Sequence, residues 1–291
     1  MDSEDELQHS HLIMGLFEKT AGIDSALVQR IDPAEGSPLH RDDARVPHYP
    51  VSSYAFGQLT VAAGCIASLK QMIVQESEDS VDILSSPFGA YALVRNALDA
   101  AVIALWILEP VNGTLRVKRR VMLAVDEINK AEAFRQTMEQ PSTKKNRRAR
   151  MKEVAQLAGL GEWNPLSKDR RLPATTQMFL DLERWHSNAV FPWLAAWQLT
   201  SGHAHGKEWA HLASHERQEV EGTRTETGAQ FRMTIRYGML AAVLYEAVQL
   251  FETAGTRYHE LSSLPVTSGP MTSNTSGWPG SKTADAPGLR A

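Results

Sequence analysis

The stretch YALVRNALDAAVIALWILEP, residues 91–110, is apolar on nearly every side and carries its few polar groups, Arg95, Asn96 and Asp99, near one end. A strand would show alternation with period two, and none is visible. The charge-poor run from Ala97 to Leu108 is shorter than the roughly 20 residues that a membrane-crossing helix needs. The stretch therefore reads as the buried central helix of a helical bundle. Ser85, Ser86 and Pro87 supply a cap and a first-turn proline for a helix over 88–109, and Pro110 with Asn112-Gly113 ends it.

Working outward, apolar residues recur at spacings of 3 and 4 on both sides. Ala55, Leu59, Ala62, Ile66, Leu69 and Ile73 keep the rhythm for five turns, and Met233, Tyr237, Leu240, Leu244, Ala247 and Phe251 do the same near the far end. Further helices are expected over 114–138, over a basic segment up to Ala158 closed by Gly159 and Gly161, over 174–186, and over 192–200. The one strand candidate is a short hairpin at 219–227, turning at Glu221-Gly222. The predicted class is all-α, a bundle of about six to eight helices. Residues 1–50 are expected to hold a short helix and then an extended linker, because Pro33, Pro38, Pro47 and Pro50 punctuate it; residues 51–261 form one domain. From Ser262 onward, 18 of 30 residues are Ser, Thr, Pro or Gly, which predicts a disordered tail.

Composition excludes several classes. The 291 residues are 43% hydrophobic with a net charge of -4, so any affinity for nucleic acid must come from a local patch. Cys65 is the single cysteine, which rules out an internal disulfide and a thiolate zinc cluster and fits a reducing cytoplasm. The acidic opening lacks the features of a secretory signal, so a cytoplasmic protein without membrane attachment is expected. No GxGxxG, GxxxxGK[ST], GxSxG or HExxH occurs.

Several constellations could carry chemistry. Arg95 and Asp99 share a face at i and i+4 inside the apolar helix, so they form either a structural ion pair or a cationic grip on an anionic ligand. Five of the ten histidines, His186, His203, His205, His211 and His215, fall in one stretch. Gly202 and Gly206 bracket His203 and His205, which places them at a helix end or bend where backbone approaches another element. Glu208 and His211 imitate one arm of a carboxylate-bundle metal site. No second ExxH arm exists, so no metal and no cofactor are expected. Lys144, Lys145, Arg147, Arg148, Arg150 and Lys152 put six cations in nine residues on one helix, which reads as a solvated face or as a nucleic-acid contact. Trp163, Trp185, Trp193, Trp197 and Trp209 crowd one region and read as a packing seam.

Two resemblances rest on these residues. Arg95, Asp99, Trp106, Leu108 and Pro110, followed by Ser201, Gly202, His205 and Gly206, are similar to the recurring motifs of a group of actinobacterial-type helical proteins with no assigned activity; the likeness spans roughly residues 50–260. More loosely, the pattern resembles HEPN-like helical bundles, many of which are RNA-cleaving toxins or defence components that act as dimers through an Arg-x4-6-His site. The formal match to that site is Arg41 with His48, in the Pro-rich segment rather than on a late helix. The resemblance therefore implies association with RNA, or defence against foreign nucleic acid, with a homodimer in view. Arg95, Asp99, Ser201 and His205 are the candidate catalytic set, in which Arg95 holds phosphate and His205 moves a proton. A protein-interaction module and a metal-dependent enzyme using the histidines at 203–215 are the alternatives.

Overall fold

The computed structural model describes residues 3–29, 32–76, 81–84, 89–186 and 191–264. It is all-α with two small antiparallel strand pairs, and the helices run in chain order as α1 Ser3–Val28, α2 Pro38–Arg45, α3 Val51–Ile73, α4 Gly89–Leu108, α5 Gly113–Thr137, α6 Lys144–Leu157, α7 Thr175–Glu183, α8 Trp193–Ala204, α9 Glu208–Ser214 and α10 Tyr237–Ser262. Strands β1 Val74–Glu76 and β2 Val81–Ile83 pair with each other, as do β3 His215–Glu219 and β4 Phe231–Ile235.

Helix α4 is the axis, packing against α3, α10, α8 and α7. By length and composition it could cross a membrane, contrary to the expectation that its apolar run is too short. In the bundle, Ala97, Leu98, Ala101, Val102, Leu105 and Ile107 are fully buried. Alanines at 97, 100, 101 and 104 let its neighbours approach closely. The cap expected at Ser85-Ser86-Pro87 lies outside the described residues.

The N-terminal region departs from the sequence reading. Instead of a short helix, α1 runs 26 residues and packs Ile13, Leu16, Phe17, Ile23 and Leu27 into the core, mainly against α10. Lys19 pairs with Glu252 at 2.6 Å. The proposed extended linker contains α2, because Pro38 sits in the first turn, where its missing N–H costs nothing, and Ser37 accepts from the His40 N–H. Asp43, near the end of α2, then caps α3 by accepting from the N–H groups of Val51 and Ser52 at 2.7 and 3.1 Å. The far boundary also moves. Ser262 is the buried last residue of α10, and its carbonyl accepts from the Ala34 N–H, so the tail expected from 262 has its first residue in the fold. The rest of that expectation falls beyond residue 264.

Two strand features differ as well. The hairpin is displaced outward: residues 219–227 are largely its connection, while the ladder pairs His215 with Ile235 and Glu219 with Phe231. The β1–β2 pair was not anticipated; it follows α3 directly, and the Tyr237 hydroxyl donates to the Ile83 carbonyl at 2.6 Å, tying it to α10.

Candidate functional site

Helix α8 ends in a turn that its sequence specifies. His205 is the cap and Gly206 follows at φ +62°, while the Lys207 N–H donates to the Gly202 carbonyl and the Gly206 N–H to that of His203. This is the pattern by which a left-handed glycine closes a helix and reverses the chain. The short α9 folds back so tightly that a Cβ at Gly202 would sit 2.7 Å from the Ala210 Cβ and from the Trp209 ring. Both glycines thus do what their spacing suggests, one reversing the chain and one permitting contact.

The turn brings three histidines together. His203 in the last turn of α8, His211 in α9 and His215 at the start of β3 each place one ring nitrogen within 4.8 Å of the others. Their rings lie 4.6 to 5.6 Å apart by centroid. Tyr91 of α4 stacks on His203 at 3.9 Å, nearly parallel. Ser214 stands between two of the rings. Its hydroxyl donates to the Ala210 carbonyl at 2.8 Å and lies 2.6 Å from His203 Nε2 and 3.0 Å from His215 Nδ1. Since the hydroxyl proton is engaged, both imidazoles donate to the oxygen, which fixes their tautomers.

Burial, with the neighbouring His211 and His215, lowers the His203 pKa to about 4, and burial pushes the Tyr91 phenol up to about 12. Between about pH 6.5 and 4 the unfolded chain therefore binds a proton at His203 that the folded chain refuses, so stability rises with pH through that window. Urea midpoints are expected to fall as pH drops from 6.5 towards 4. His203→Gln is expected to flatten that part of the profile, and a parallel fall in the variant would contradict the assignment.

The candidate catalytic residues are arranged differently. Arg95 and Asp99 pair at 3.2 Å, and Trp197 Nε1 donates to Asp99 at 2.7 Å, which joins α4 to α8. Their side chains keep 24% and 27% exposure, so the pair is less buried than the apolar helix suggested. Burial raises the Asp99 pKa, while Trp197 and Arg95 pull it back. Ser201 and His205 line a shallow open groove with Trp197, Gln198 and Trp209, and Arg95 is not part of its lining. His205 is exposed and meets Ser201 through backbone alone, its N–H donating to the Ser201 carbonyl. The four residues grouped as a candidate catalytic set thus divide between two neighbouring features connected through Trp197. Arg41 and His48 are both exposed, on α2 and in the turn after it.

The basic helix has a richer setting than its own residues indicated. Met151, Val154 and Ala155 dock α6 on the body, and Lys145, Arg147, Arg150 and Lys152 are exposed. Lys144 and Arg148 are half-buried. Among the described residues none of these six cations closes an ion pair with a carboxylate. Arg148 donates to Asn129 and lines a cleft of about 550 Å³ with Lys168, Arg170 and Arg171. The carboxylates beside it are already engaged, Asp126 by Lys130 and Asp169 by Arg170. Lys168, Arg170 and Arg171 were missed because they lie in and just after a single turn of 3-10 helix, Lys168–Arg170, too short for a periodic pattern, although three cations in four residues, KDRR, stood in the sequence.

The tryptophans divide. Trp193 is buried, Trp163 and Trp197 are partly so, and Trp185 and Trp209 are exposed, so the packing seam holds for part of the set. Comparisons with protein-family models, curated proteins and solved structures return no match.

Proposed function

We propose that this chain is a helical nucleic-acid-associated protein that grips the phosphate backbone along α6 and the adjoining Arg148–Arg171 cleft. One observation carries the reading: cations from two separate segments converge at one cleft, in a chain whose net charge is -4; among the described residues the six of α6 close no ion pair with a carboxylate, while Arg170 pairs with the adjacent Asp169. An isolated basic helix is often a solvated surface. A second cationic segment folded against it makes a track of charge, and such tracks attract phosphates by releasing counterions. The patch itself holds no aromatic side chain for base stacking, so contact is to backbone rather than to base sequence.

This role is compatible with a non-catalytic relative of the HEPN-like bundles that the sequence resembles. Cleavage is not part of it, since Arg95 is engaged by Asp99, and His205 has no side-chain link to Ser201. Labelled mixed-sequence RNA and DNA should bind at low salt by fluorescence anisotropy. Arg147→Gln, Arg148→Gln and Arg150→Gln together are expected to weaken binding at least about tenfold, with little preference between sequences. Unchanged affinity in a folded triple variant would return α6 to a solvated face.

The exposure of Trp209 beside the open groove supports a second reading, a protein-interaction surface on α8 and α9. It makes no use of α6, so Trp209→Ala should leave nucleic-acid binding untouched.

A further inference from the structure

Three imidazoles packed inside a helical protein need an explanation. His203 and His215 are each 3% exposed, and His211 is half-buried against them. Leucine or phenylalanine would fill such a space without burying polar nitrogens, whose desolvation costs free energy unless each finds a partner. His203 Nδ1 is buried and has no hydrogen-bond partner. With Nε2 carrying the proton shared with Ser214, Nδ1 is a bare lone pair turned away from water. Such an atom is satisfied by a donor or by a cation.

Geometry favours the cation. One ring nitrogen of each histidine lies within 4.8 Å of one from each of the others, whereas tetrahedral coordination at zinc-to-nitrogen distances of about 2.0–2.1 Å needs the ligating nitrogens about 3.3 Å apart. Binding would draw the three rings closer together by up to about 1.5 Å, the difference between these two spacings. The ligands come from three backbone settings, a helix end, a second helix and a strand start, all fixed by the Gly202–Gly206 turn. Ser214 acts as the outer support, holding two imidazoles in defined tautomers, which is how ligating histidines are oriented. The set is made of neutral nitrogen donors, which suit borderline transition metals and disfavour magnesium or calcium.

We propose that His203, His211 and His215 together bind one divalent transition-metal ion, with zinc the best match to three imidazoles. Three protein ligands leave a fourth position for water or a small anion. The site is independent of the nucleic-acid reading, since it lies on α8, α9 and β3 and not on α6. It also differs from the arm suggested by the sequence: Glu208 and His205 are exposed and stand outside the cluster.

The test uses the full chain stripped with a chelator and titrated with Zn2+ by calorimetry, and with Co2+ as an optical probe. About one ion per chain is expected, with a dissociation constant of about 1 μM or tighter and visible Co2+ bands of tetrahedral intensity. His211→Ala changes a half-exposed position and should fold; it is expected to weaken binding at least about 100-fold, and Ser214→Ala about 10- to 100-fold. His205→Ala should bind as the parent does. His203→Ala is the more disruptive change, so His211→Asn serves as the second variant. No stoichiometric uptake, or equal loss in His205→Ala and His211→Ala, would overturn the proposal.

Discussion

Replacing Arg116 by alanine is expected to cost about 3–5 kcal/mol of stability, the range found when one partner of a buried ion pair is removed. Arg116 and Asp42 are 3% and 5% exposed in their side chains, and Nε meets the carboxylate at 2.6 Å. The same guanidinium donates to the Pro110 and Val111 carbonyls at 2.6 and 3.0 Å, pinning the α4–α5 corner. Alanine would strand the buried Asp42 carboxylate and release the Pro110 and Val111 carbonyls of the corner. Burial already raises the Asp42 pKa against the pull of Arg116 and Arg45, so protonation relieves the stranded charge. The deficit measured by urea unfolding should therefore narrow as pH falls towards the carboxyl range. Exchanging both partners, Arg116→Met with Asp42→Asn, should recover part of the loss; a cost below about 1 kcal/mol for Arg116→Ala would show the pair to be solvated.

The second large effect is expected at Gly202. Its missing side chain is what lets α9 lie against α8, and a valine there would drive methyl groups into Ala210 and the Trp209 ring. Overpacking of this kind costs about 1–3 kcal/mol, and here the strain falls on α9, which carries His211 and leads directly into His215 at the start of β3. Gly202→Val should therefore lower stability, read by urea unfolding, and return the His203 pKa towards its ordinary value, read by a histidine NMR titration. Gly57 is the control. It lies on the exposed face of α3 with open space around it, so Gly57→Ala should stabilise by about 0.5–1 kcal/mol. A silent Gly202→Val would mean that α9 does not need this close approach.

Helical periodicity made the bundle legible. Residues 91–110 read as a helix by their apolar run, the rhythm at 55–73 set one of its principal neighbours, and the rhythm at 233–251 set another from Tyr237 onward, its first member, Met233, lying in β4 instead. The N-terminal helix was harder to see because its opening is acidic and its apolar face begins only at Ile13. Proline density hid α2, although Ser37-Pro38 is a helix start by the same logic used at Pro87. Within the site, glycine positions were readable because backbone reversal and close approach need that residue. The meeting of His203, His211 and His215 was not, since it depends on the path of the chain after Gly206. A search for repeated ExxH arms looks along helices, whereas this cluster forms across a corner. The partners Tyr91 and Ser214 carried no spacing signal at all, Tyr91 being more than a hundred residues away.

The nucleic-acid reading is tested most directly by the salt dependence of affinity. For mixed-sequence RNA or DNA, the logarithm of the association constant is measured against the logarithm of salt concentration between about 50 and 200 mM. Each neutralised phosphate contributes about -0.7 to -0.9 to the slope, so four to six contacts along α6 and its cleft give roughly -3 to -5. Removing the charges of Arg147, Arg148 and Arg150 should flatten the slope by about 2 to 3. A slope near zero, or one that the triple variant leaves unchanged, would contradict the assignment of α6 and the cleft as the phosphate-binding face.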